Sequence, residues 1–266
     1  MVSPIPVVES SLTTPRVRTI QIDQPWEWLG AGWKDLWRAP AVSIPYGLLF
    51  VVMGYGLVYL VVSRFQYALA LTTGFLLAGP FLSMGLYDIS RRLEAGKVPT
   101  LGLALTAWRH NILPILLFGL LIGLLMIVWV RLSALMFGVI IGGHSTLVET
   151  STTALFFSGS GLIFLLVFTL IGAVISGVVF AISVVSIPMM LDRKIDFITA
   201  VLTSLTAVRV NPVPMALWAG LITIFTGIGL LTFYLGLAIA LPLIGHASWH
   251  AYRDLVEDGD IAEQPY

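Results

Sequence analysis

Cysteine is absent from the 266-residue sequence, so this chain contains no disulfide, thiolate metal site, iron–sulfur cluster or cysteine nucleophile. Charged residues are scarce at 11%, against roughly 25% in an average soluble domain. A soluble chain of this size would lack the charges to cover its surface, which excludes an ordinary cytosolic enzyme and a disordered chain. The 14 basic and 14 acidic residues balance, which argues against a nucleic-acid partner.

Apolar side chains are abundant instead. They make up 58% of the residues, and the mean hydropathy is +0.97. The sequence therefore predicts an all-α bundle of membrane helices, with the lipid bilayer as its surroundings. Residues 1–25 contain no apolar stretch of the signal-peptide type, and the first long apolar run starts near Val42. We expect the first span to direct insertion and to be retained.

Apolar runs long enough to cross the bilayer occur six times. A crossing needs about 20 mostly apolar residues for a hydrocarbon layer of about 30 Å. The last two spans come from one run that contains Gly227, Gly229 and Thr232, where we place a tight turn. The alternative is a single kinked span, which would leave five crossings. The predicted spans are residues 42–62, 68–90, 112–132, 161–191, 213–227 and 231–249.

Basic residues lie almost entirely on one side of this arrangement. Of the 14 lysines and arginines, only Arg64 and Arg131 fall on the other side. The positive-inside rule then places both termini in the cytoplasm. The predicted six-span membrane domain covers residues 21–255. It lies between a flexible N-terminal segment (1–20) and an acidic C-terminal tail (256–266).

Three segments share one plan, an amphipathic stretch followed by a span. The stretches end in the strings LWRAP, AWRHN and AVRVN, in which an arginine precedes a proline or an asparagine by two residues. Aromatic and charged residues on different faces are typical of a helix that lies flat in the headgroup region. We predict three interfacial amphipathic helices on the cytoplasmic side and a pseudo-threefold repeat. The repeat units are residues 25–90, 98–191 and 195–254.

Further signals accompany this repeat. Each even-numbered span has a proline near its cytoplasmic half, and proline opens the helical hydrogen-bond ladder. These prolines are Pro80, Pro188 and Pro242.

The first amphipathic stretch has one apolar face with Trp26, Leu29, Trp33, Leu36 and Trp37. Small residues inside the spans indicate close helix packing. They include Gly119, Gly123, Gly172 and Gly177.

Three strings resemble a known family. They are PWEWLGAGWKDLW (residues 25–37), GLYDISRRLEAGKVP (85–99) and GHASWHAYRDLV (245–256). They make residues 17–258 similar to the bacterial integral membrane proteins catalogued as domain of unknown function 2189. The resemblance implies a multi-pass protein of the bacterial inner membrane and brings no established activity, so no catalytic residue is carried over. Some members have labels that link them to cytochrome oxidase, which makes a respiratory complex one option for the setting.

His246 and His250 form an H-x-x-x-H pair on one helical face. Two neutral imidazoles at this spacing are able to hold a divalent metal ion or to lie beside a haem, with Asp88, Asp192 or Asp196 as a third ligand. The glutamate of the zinc-protease motif is absent, since the string is HASWH. The interpretation we favour places both imidazoles at headgroup level at the end of a span, and it predicts no cofactor.

Charged groups also follow the second and fourth spans. We expect them to form ion pairs between repeats, for example Asp88 with Arg193, and to contact anionic lipid headgroups at the cytoplasmic face. No phosphate loop, dinucleotide fingerprint or G-x-S-x-G elbow occurs in the sequence. Catalytic residues are therefore not assigned, and an enzyme is the less favoured class.

Short loops and the lack of a catalytic motif favour a non-enzymatic accessory role, as a scaffold or assembly component of a membrane complex. Two other classes stay open. One is a transporter or channel for a small solute or lipid, which would need a cavity that reaches the midplane. The other is a haem- or metal-binding membrane protein that uses His246 and His250.

Overall fold

The computed structural model describes residues 15–61, 79–141 and 158–257. Within these ranges the chain is helical, apart from turns and one isolated antiparallel bridge between Val17 and Val256. The predicted all-α class is therefore confirmed for the described residues. Several predictions fall outside them: most of the flexible N-terminal segment, residues 68–78 of the second span, most of the connection after the third span, and the acidic tail from residue 258.

The helices follow one another closely along the chain. A 3₁₀ turn over Ala107–Asn111 leads into the helix that we number α6. The α-helices are α1 (Gln24–Arg38), α2 (Pro40–Val61), α3 (Gly79–Leu82), α4 (Met84–Glu94), α5 (Leu101–Leu105), α6 (Ile112–Ile140), α7 (Gly159–Ser183), α8 (Ser186–Asp192), α9 (Phe197–Val210), α10 (Pro212–Leu231) and α11 (Leu237–Leu255).

Four stretches among the described helices are long and apolar enough to cross a bilayer: Pro40–Leu57, Ala107–Ile140, Gly159–Asp192 and Pro212–Leu231. They correspond to the first, third, fourth and fifth predicted spans. The last helix, α11, is not among them, because its second half carries polar and charged side chains. The count of six crossings thus stays a prediction.

The last apolar run is divided in two as predicted, but the break lies after the predicted position between residues 227 and 231. Helix α10 runs through Gly227 and Gly229 and ends at Leu231, and α11 begins at Leu237. In the turn between them, Phe233 and Tyr234 have φ values of 54° and 68°, a region that favours glycine. The carbonyl of Phe233 accepts a hydrogen bond from the Tyr55 hydroxyl at 2.7 Å, which ties this turn to α2.

The arginine-x-proline or arginine-x-asparagine strings mark helix junctions. Helix α1 ends at Arg38 and α2 begins at Pro40, and the two asparagine strings end one helical segment just before α6 and α10 begin. The side chain of Asn111 donates to the carbonyls of Met190 and Ile195, at 3.2 and 3.0 Å. Junctions of one kind thus occur three times, while the pseudo-threefold arrangement itself stays a prediction.

Helix α11 is the element against which the others pack: it contacts α1, α2, α4, α8 and α10. Glycines allow the close approach. A Cβ added at Gly32 of α1 would lie 2.6 Å from the backbone nitrogen of Ala247, and one at Gly47 of α2 would overlap the carbonyl oxygen of Ala238. Without a side chain at these two positions, α1 and α2 lie directly on the backbone of α11.

Helix α1 has two apolar sides rather than one. Trp28, Leu29 and Leu36 are buried against the bundle, whereas Trp26, Trp33 and Trp37 remain exposed. The single apolar face predicted from the sequence is therefore two faces in the structure, because Leu29 and Leu36 lie on the buried side and the three tryptophans on the exposed side. The exposed tryptophans are compatible with the predicted headgroup position, which stays a prediction for all three amphipathic stretches.

Candidate functional site

His246 lies in the interior of the bundle rather than at the end of a span. Its side chain is fully buried, with 0% exposure. Nε2 is 2.9 Å from the Ser43 hydroxyl of α2, and Nδ1 is 2.8 Å from the Ser90 hydroxyl of α4. A neutral imidazole has one donor and one acceptor nitrogen, so the two serines satisfy both.

His250 lies one turn further along α11 and pairs with Asp35 of α1. Its Nε2 is 2.8 Å from the Asp35 Oδ2. Asp35 is itself only 3% exposed. Burial alone would raise the pKa of the Asp35 carboxyl, but the hydrogen bond from His250 and the nearby Ser90 hydroxyl outweigh burial and lower the pKa. Asp35 therefore stays ionised at neutral pH.

These contacts bring together five polar side chains, of which four are buried and His250 is partly exposed; we call them the histidine network: Ser43, His246, Ser90, Asp35 and His250. It joins α2, α11, α4 and α1 through side chains far apart in the sequence. An unpaired polar group would be costly at this depth, and each of the five has a partner here. Its first consequence is structural, because it fixes the register of four helices.

The carboxylates predicted as a third metal ligand have other partners. Asp88, fully buried, accepts from Arg91 and Arg92 of its own helix, at 2.6 Å each. The expected pairing of Asp88 with Arg193 is therefore wrong. Asp192 accepts from the Tyr252 hydroxyl at 2.8 Å. Asp196 caps the first turn of α9, where it accepts from the Thr199 backbone nitrogen at 2.9 Å.

No group of three histidine, aspartate or glutamate side chains that could hold a metal ion is found among the described residues. His246 and His250 share a helix face, as predicted, but the ring nitrogens of His246 both engage serines. Metal or haem binding at this pair stays a prediction.

Sequence reasoning missed Asp35, Ser43 and Ser90. A signal for Asp35 was available: it follows Trp28 by seven residues and Gly32 by three, which places all three on the buried face of α1. The two serines had no such signal, because an isolated serine in an apolar run does not reveal which helix it faces.

A cavity of about 670 Å³ lies among the apolar helices. Such a volume falls within the range of about 300–1,000 Å³ that is typical of small-molecule sites. We call it the bundle cavity. One part of its wall is aromatic, with Phe50, Trp129 and Phe168. Another part carries the hydroxyls of Ser83, Tyr87, Ser183 and Ser248.

The bundle cavity is bordered by small residues on α7 and α10. Gly177 and Gly220 line it, and both are exposed. A Cβ added at either position would meet no atom within 4 Å. The prediction of close helix packing is therefore wrong for Gly177, and also for Gly123, where an added Cβ meets no atom within 4 Å. Gly172 does approach a neighbour, since a Cβ there would lie 3.1 Å from the Trp129 ring. The two exposed glycines mark an opening of the bundle cavity between α7 and α10.

We compared the chain with known proteins to test the family resemblance. A search of the curated proteins and a search of the solved structures found no match. Residues 68–192 match domain of unknown function 2189, described as a predicted integral membrane protein. The matched range includes the string at residues 85–99, while the other two strings lie outside it. The resemblance drawn from the sequence is thus confirmed over residues 68–192, which are similar to that family of predicted integral membrane proteins.

Proposed function

We propose that this membrane protein holds a small, mostly apolar molecule in the bundle cavity and exchanges it with the lipid phase. The observation that carries the proposal is the cavity itself, with a volume of about 670 Å³ and an opening at Gly177 and Gly220. Ligand sites are concave, mainly apolar and furnished with a few polar groups, and this cavity has those properties. Its mainly apolar wall favours a lipid-like molecule over a polar solute.

The proposal includes the six-span arrangement in a bacterial inner membrane, with both termini in the cytoplasm. The bridge between Val17 and Val256 supports an even number of crossings, because it places the two ends of the described chain side by side. The break between α10 and α11 supplies the turn that a sixth crossing needs. Arg253 of α11 pairs with Glu94 of α4 at 3.2 Å, so the charged ends of these helices lie on one side, as in the predicted repeat.

The cavity also favours one of the three function classes considered from the sequence. A carrier or receptor for a lipid-like molecule belongs to the transporter class. An accessory role in a membrane complex, respiratory or otherwise, remains a prediction. Recovery of a stoichiometric protein partner in mild detergent would favour that role instead.

The test is to identify what the purified protein carries. The protein is extracted in mild detergent, and its bound small molecules are recovered with organic solvent and identified by mass spectrometry. We expect a lipid-like molecule at near-stoichiometric amounts in the wild type and its loss in Gly220→Leu, whose side chain would fill the cavity. Gly123→Leu is the matched control, because an added Cβ at Gly123 also meets no atom within 4 Å but the residue does not line the cavity.

Equal amounts of bound molecule in all three proteins would contradict the proposal. So would strong destabilisation of the protein by Gly220→Leu, because that would mean that chain atoms already fill the space.

A further inference from the structure

We infer that the ligand of the bundle cavity is a neutral lipid with a carbonyl oxygen, and that the Thr226 hydroxyl donates a hydrogen bond to this oxygen. The inference rests on the proposed function and adds the chemical class of the ligand and the residue that recognises it. Two features of the cavity carry it. Hydroxyl groups on its wall have protons without an acceptor in the described part of the chain, and the same wall lacks charge.

Threonines elsewhere in these helices donate to a carbonyl of their own helix. Thr203, Thr206 and Thr223 each donate to the carbonyl four residues earlier, at 2.8 Å. This bond is common for threonine in a helix, and it satisfies the hydroxyl proton where water is absent. A hydroxyl without it, inside a membrane bundle, needs another acceptor, because an unpaired polar group is costly there.

Thr226 on α10 lacks that bond. The residue lines the bundle cavity and is only 8% exposed, and its hydroxyl has no hydrogen-bond partner among the residues that the structure describes. Trp218 Nε1 is the one fully enclosed side-chain polar atom of the described residues without a partner, so the Thr226 oxygen keeps some accessible surface. Because Thr226 lines the cavity, that surface lies toward the cavity. Its hydroxyl proton is therefore available to an acceptor in this space.

Two further hydroxyls on the α7 side of the cavity are available in the same way. Thr169 and Ser176 line the cavity and are exposed, and within the described ranges their hydroxyls have no partner. Ser176 precedes Gly177 at the opening. Thr226 lies six residues beyond Gly220, which corresponds to about 9 Å along the axis of α10. Free donors thus occur at the opening and deeper in the cavity, on both helices that border it.

Charge is missing from the part of the wall that the structure describes. None of the lining residues there is an aspartate, glutamate, lysine, arginine or histidine. A charged head group would lose its hydration without gaining a counter-ion, which is strongly unfavourable. A carbonyl oxygen accepts hydrogen bonds without a charge and without a proton that would need an acceptor of its own. The esters of a glycerolipid and the ring ketones of a quinone both provide such an oxygen.

The experiment compares four probes of similar length on the full protein. They are methyl pentadecyl ketone, methyl hexadecanoate, heptadecane and the charged hexadecanoate. The protein is placed in nanodiscs of ether-linked phospholipids, which contain no carbonyl groups that would compete. Binding is followed by native mass spectrometry, and affinities are referred to the probe concentration in the lipid. We expect the ketone to bind about fivefold more tightly than heptadecane, the value of one net hydrogen bond, and hexadecanoate to bind more weakly than the ketone.

The ester probe distinguishes the two sources of the carbonyl. Whichever of the ketone and the ester binds more tightly assigns the carbonyl type of the natural ligand, and either result supports the inference as long as it exceeds heptadecane.

Variants locate the effect at Thr226. Thr226→Val keeps the shape of the side chain and removes the hydroxyl, so the preference for the ketone over heptadecane should disappear. Thr226→Ser, which has a hydroxyl again, should restore it. Thr223→Val is the matched control: Thr223 lines the same cavity from the same helix, but its proton already goes to the Ala219 carbonyl, so the preference should stay near its wild-type value.

If Thr226→Val does not fold, the infrared spectrum of the wild-type protein with an isotope-labelled ketone decides. The labelled carbonyl band should move to lower wavenumber on binding, as it does when a carbonyl accepts a hydrogen bond. A band that stays at its position in lipid alone would overturn the inference.

The outcomes separate the inference from the proposed function. Equal affinity for the ketone and heptadecane, an unchanged preference in Thr226→Val, or tighter binding of hexadecanoate than of the ketone would each overturn the inference while leaving the cavity as a binding site. Failure of every probe to bind would overturn both.

Discussion

Single hydroxyls support the backbone of this bundle where the helical ladder is interrupted. Pro188 has no N–H, and the helix breaks at Val184 and Val185, between α7 and α8. The Ser204 hydroxyl of α9 fills the break: it donates to the Ala181 carbonyl at 2.7 Å and accepts from the Val185 N–H at 3.2 Å. One side chain thus replaces the hydrogen bond that the regular helix would have made between these two groups.

Removal of that hydroxyl leaves two buried backbone groups unpaired. We expect Ser204→Ala to lower the free energy of unfolding by about 1–3 kcal/mol. Thr206→Ala is the matched control: its hydroxyl donates to the Leu202 carbonyl on the exposed side of the same helix, so its effect should lie within about 0.5 kcal/mol of zero. Thermal unfolding of both variants in detergent makes the comparison. Equal melting temperatures would show that Ser204 does not support the break.

The role of His246 in the histidine network is open to a similar comparison. His246→Ala leaves the hydroxyl of Ser43 without its partner and opens a space in the interior, so we expect stability to fall by about 2 kcal/mol or more. His110→Ala, at an exposed imidazole, should have little effect. EDTA should leave the melting temperature of the wild type unchanged, since both ring nitrogens are hydrogen-bonded to serine hydroxyls. A fall on EDTA addition to the value of the variant would instead favour the predicted metal site.

Individual site residues could be predicted from the sequence only in part. The spacing of His246 and His250 placed them on one helix face, which is correct, because helical periodicity is a local property. Their partners lie 203, 156 and 215 positions away, at Ser43, Ser90 and Asp35. Periodicity carries no information about contacts at such separations, so the interior position of His246 could not be read from the pattern.

At the scale of elements, the packing of α1 on α11 depends on one glycine. Gly32→Ala would bring a methyl group to 2.6 Å from the Ala247 nitrogen and 2.8 Å from the Leu243 carbonyl oxygen, and backbone atoms cannot move aside easily. We expect a loss of about 1–3 kcal/mol, the usual effect of overpacking. Gly30→Ala, two residues earlier on the exposed side, should instead stabilise α1 by about 0.5–1 kcal/mol. Thermal unfolding measures both, and a loss of the same size in both variants would show that helix packing is not the cause.

The position of helix breaks was more accessible to sequence reasoning than the extent of helices. Proline and glycine act locally, so breaks near Pro80 and Pro188 and in the last apolar run were expected and are present. The last break falls at residues 232–236, after the predicted position, and Pro242 lies inside α11 without interrupting it. Helix α6 continues to Ile140, eight residues beyond the predicted end of the third span at Leu132. A lone charge at Arg131 does not end a helix, because it removes no backbone hydrogen bond. Hydropathy indicates which residues lipid can surround. The end of a helix depends instead on where its backbone hydrogen bonds stop and its terminal groups are capped.

For the molecule as a whole, composition was enough to predict a membrane protein, and the length of the apolar runs was enough to predict an all-α class. The bundle cavity was beyond reach, since it arises where small residues of α7 and α10 face each other across the bundle. Gly177 and Gly220 look the same in sequence as Gly32, which is tightly packed. A glycine in an apolar helix is compatible with close contact or with open space, and the tertiary arrangement decides between them.

The absence of cysteine makes the topology directly measurable, because each introduced cysteine would be the only one in the chain. We expect Ile22→Cys, Lys194→Cys and Glu257→Cys to react with a membrane-impermeant maleimide in inside-out vesicles and not in intact spheroplasts. Phe233→Cys, in the turn after α10 and 80% exposed, should show the opposite pattern. The reason is the side-by-side position of Val17 and Val256 together with the turn that separates α10 from α11. With five crossings, Glu257→Cys would react in spheroplasts while Lys194→Cys stayed protected. That result would contradict an even number of crossings, and with it the cytoplasmic position of both termini.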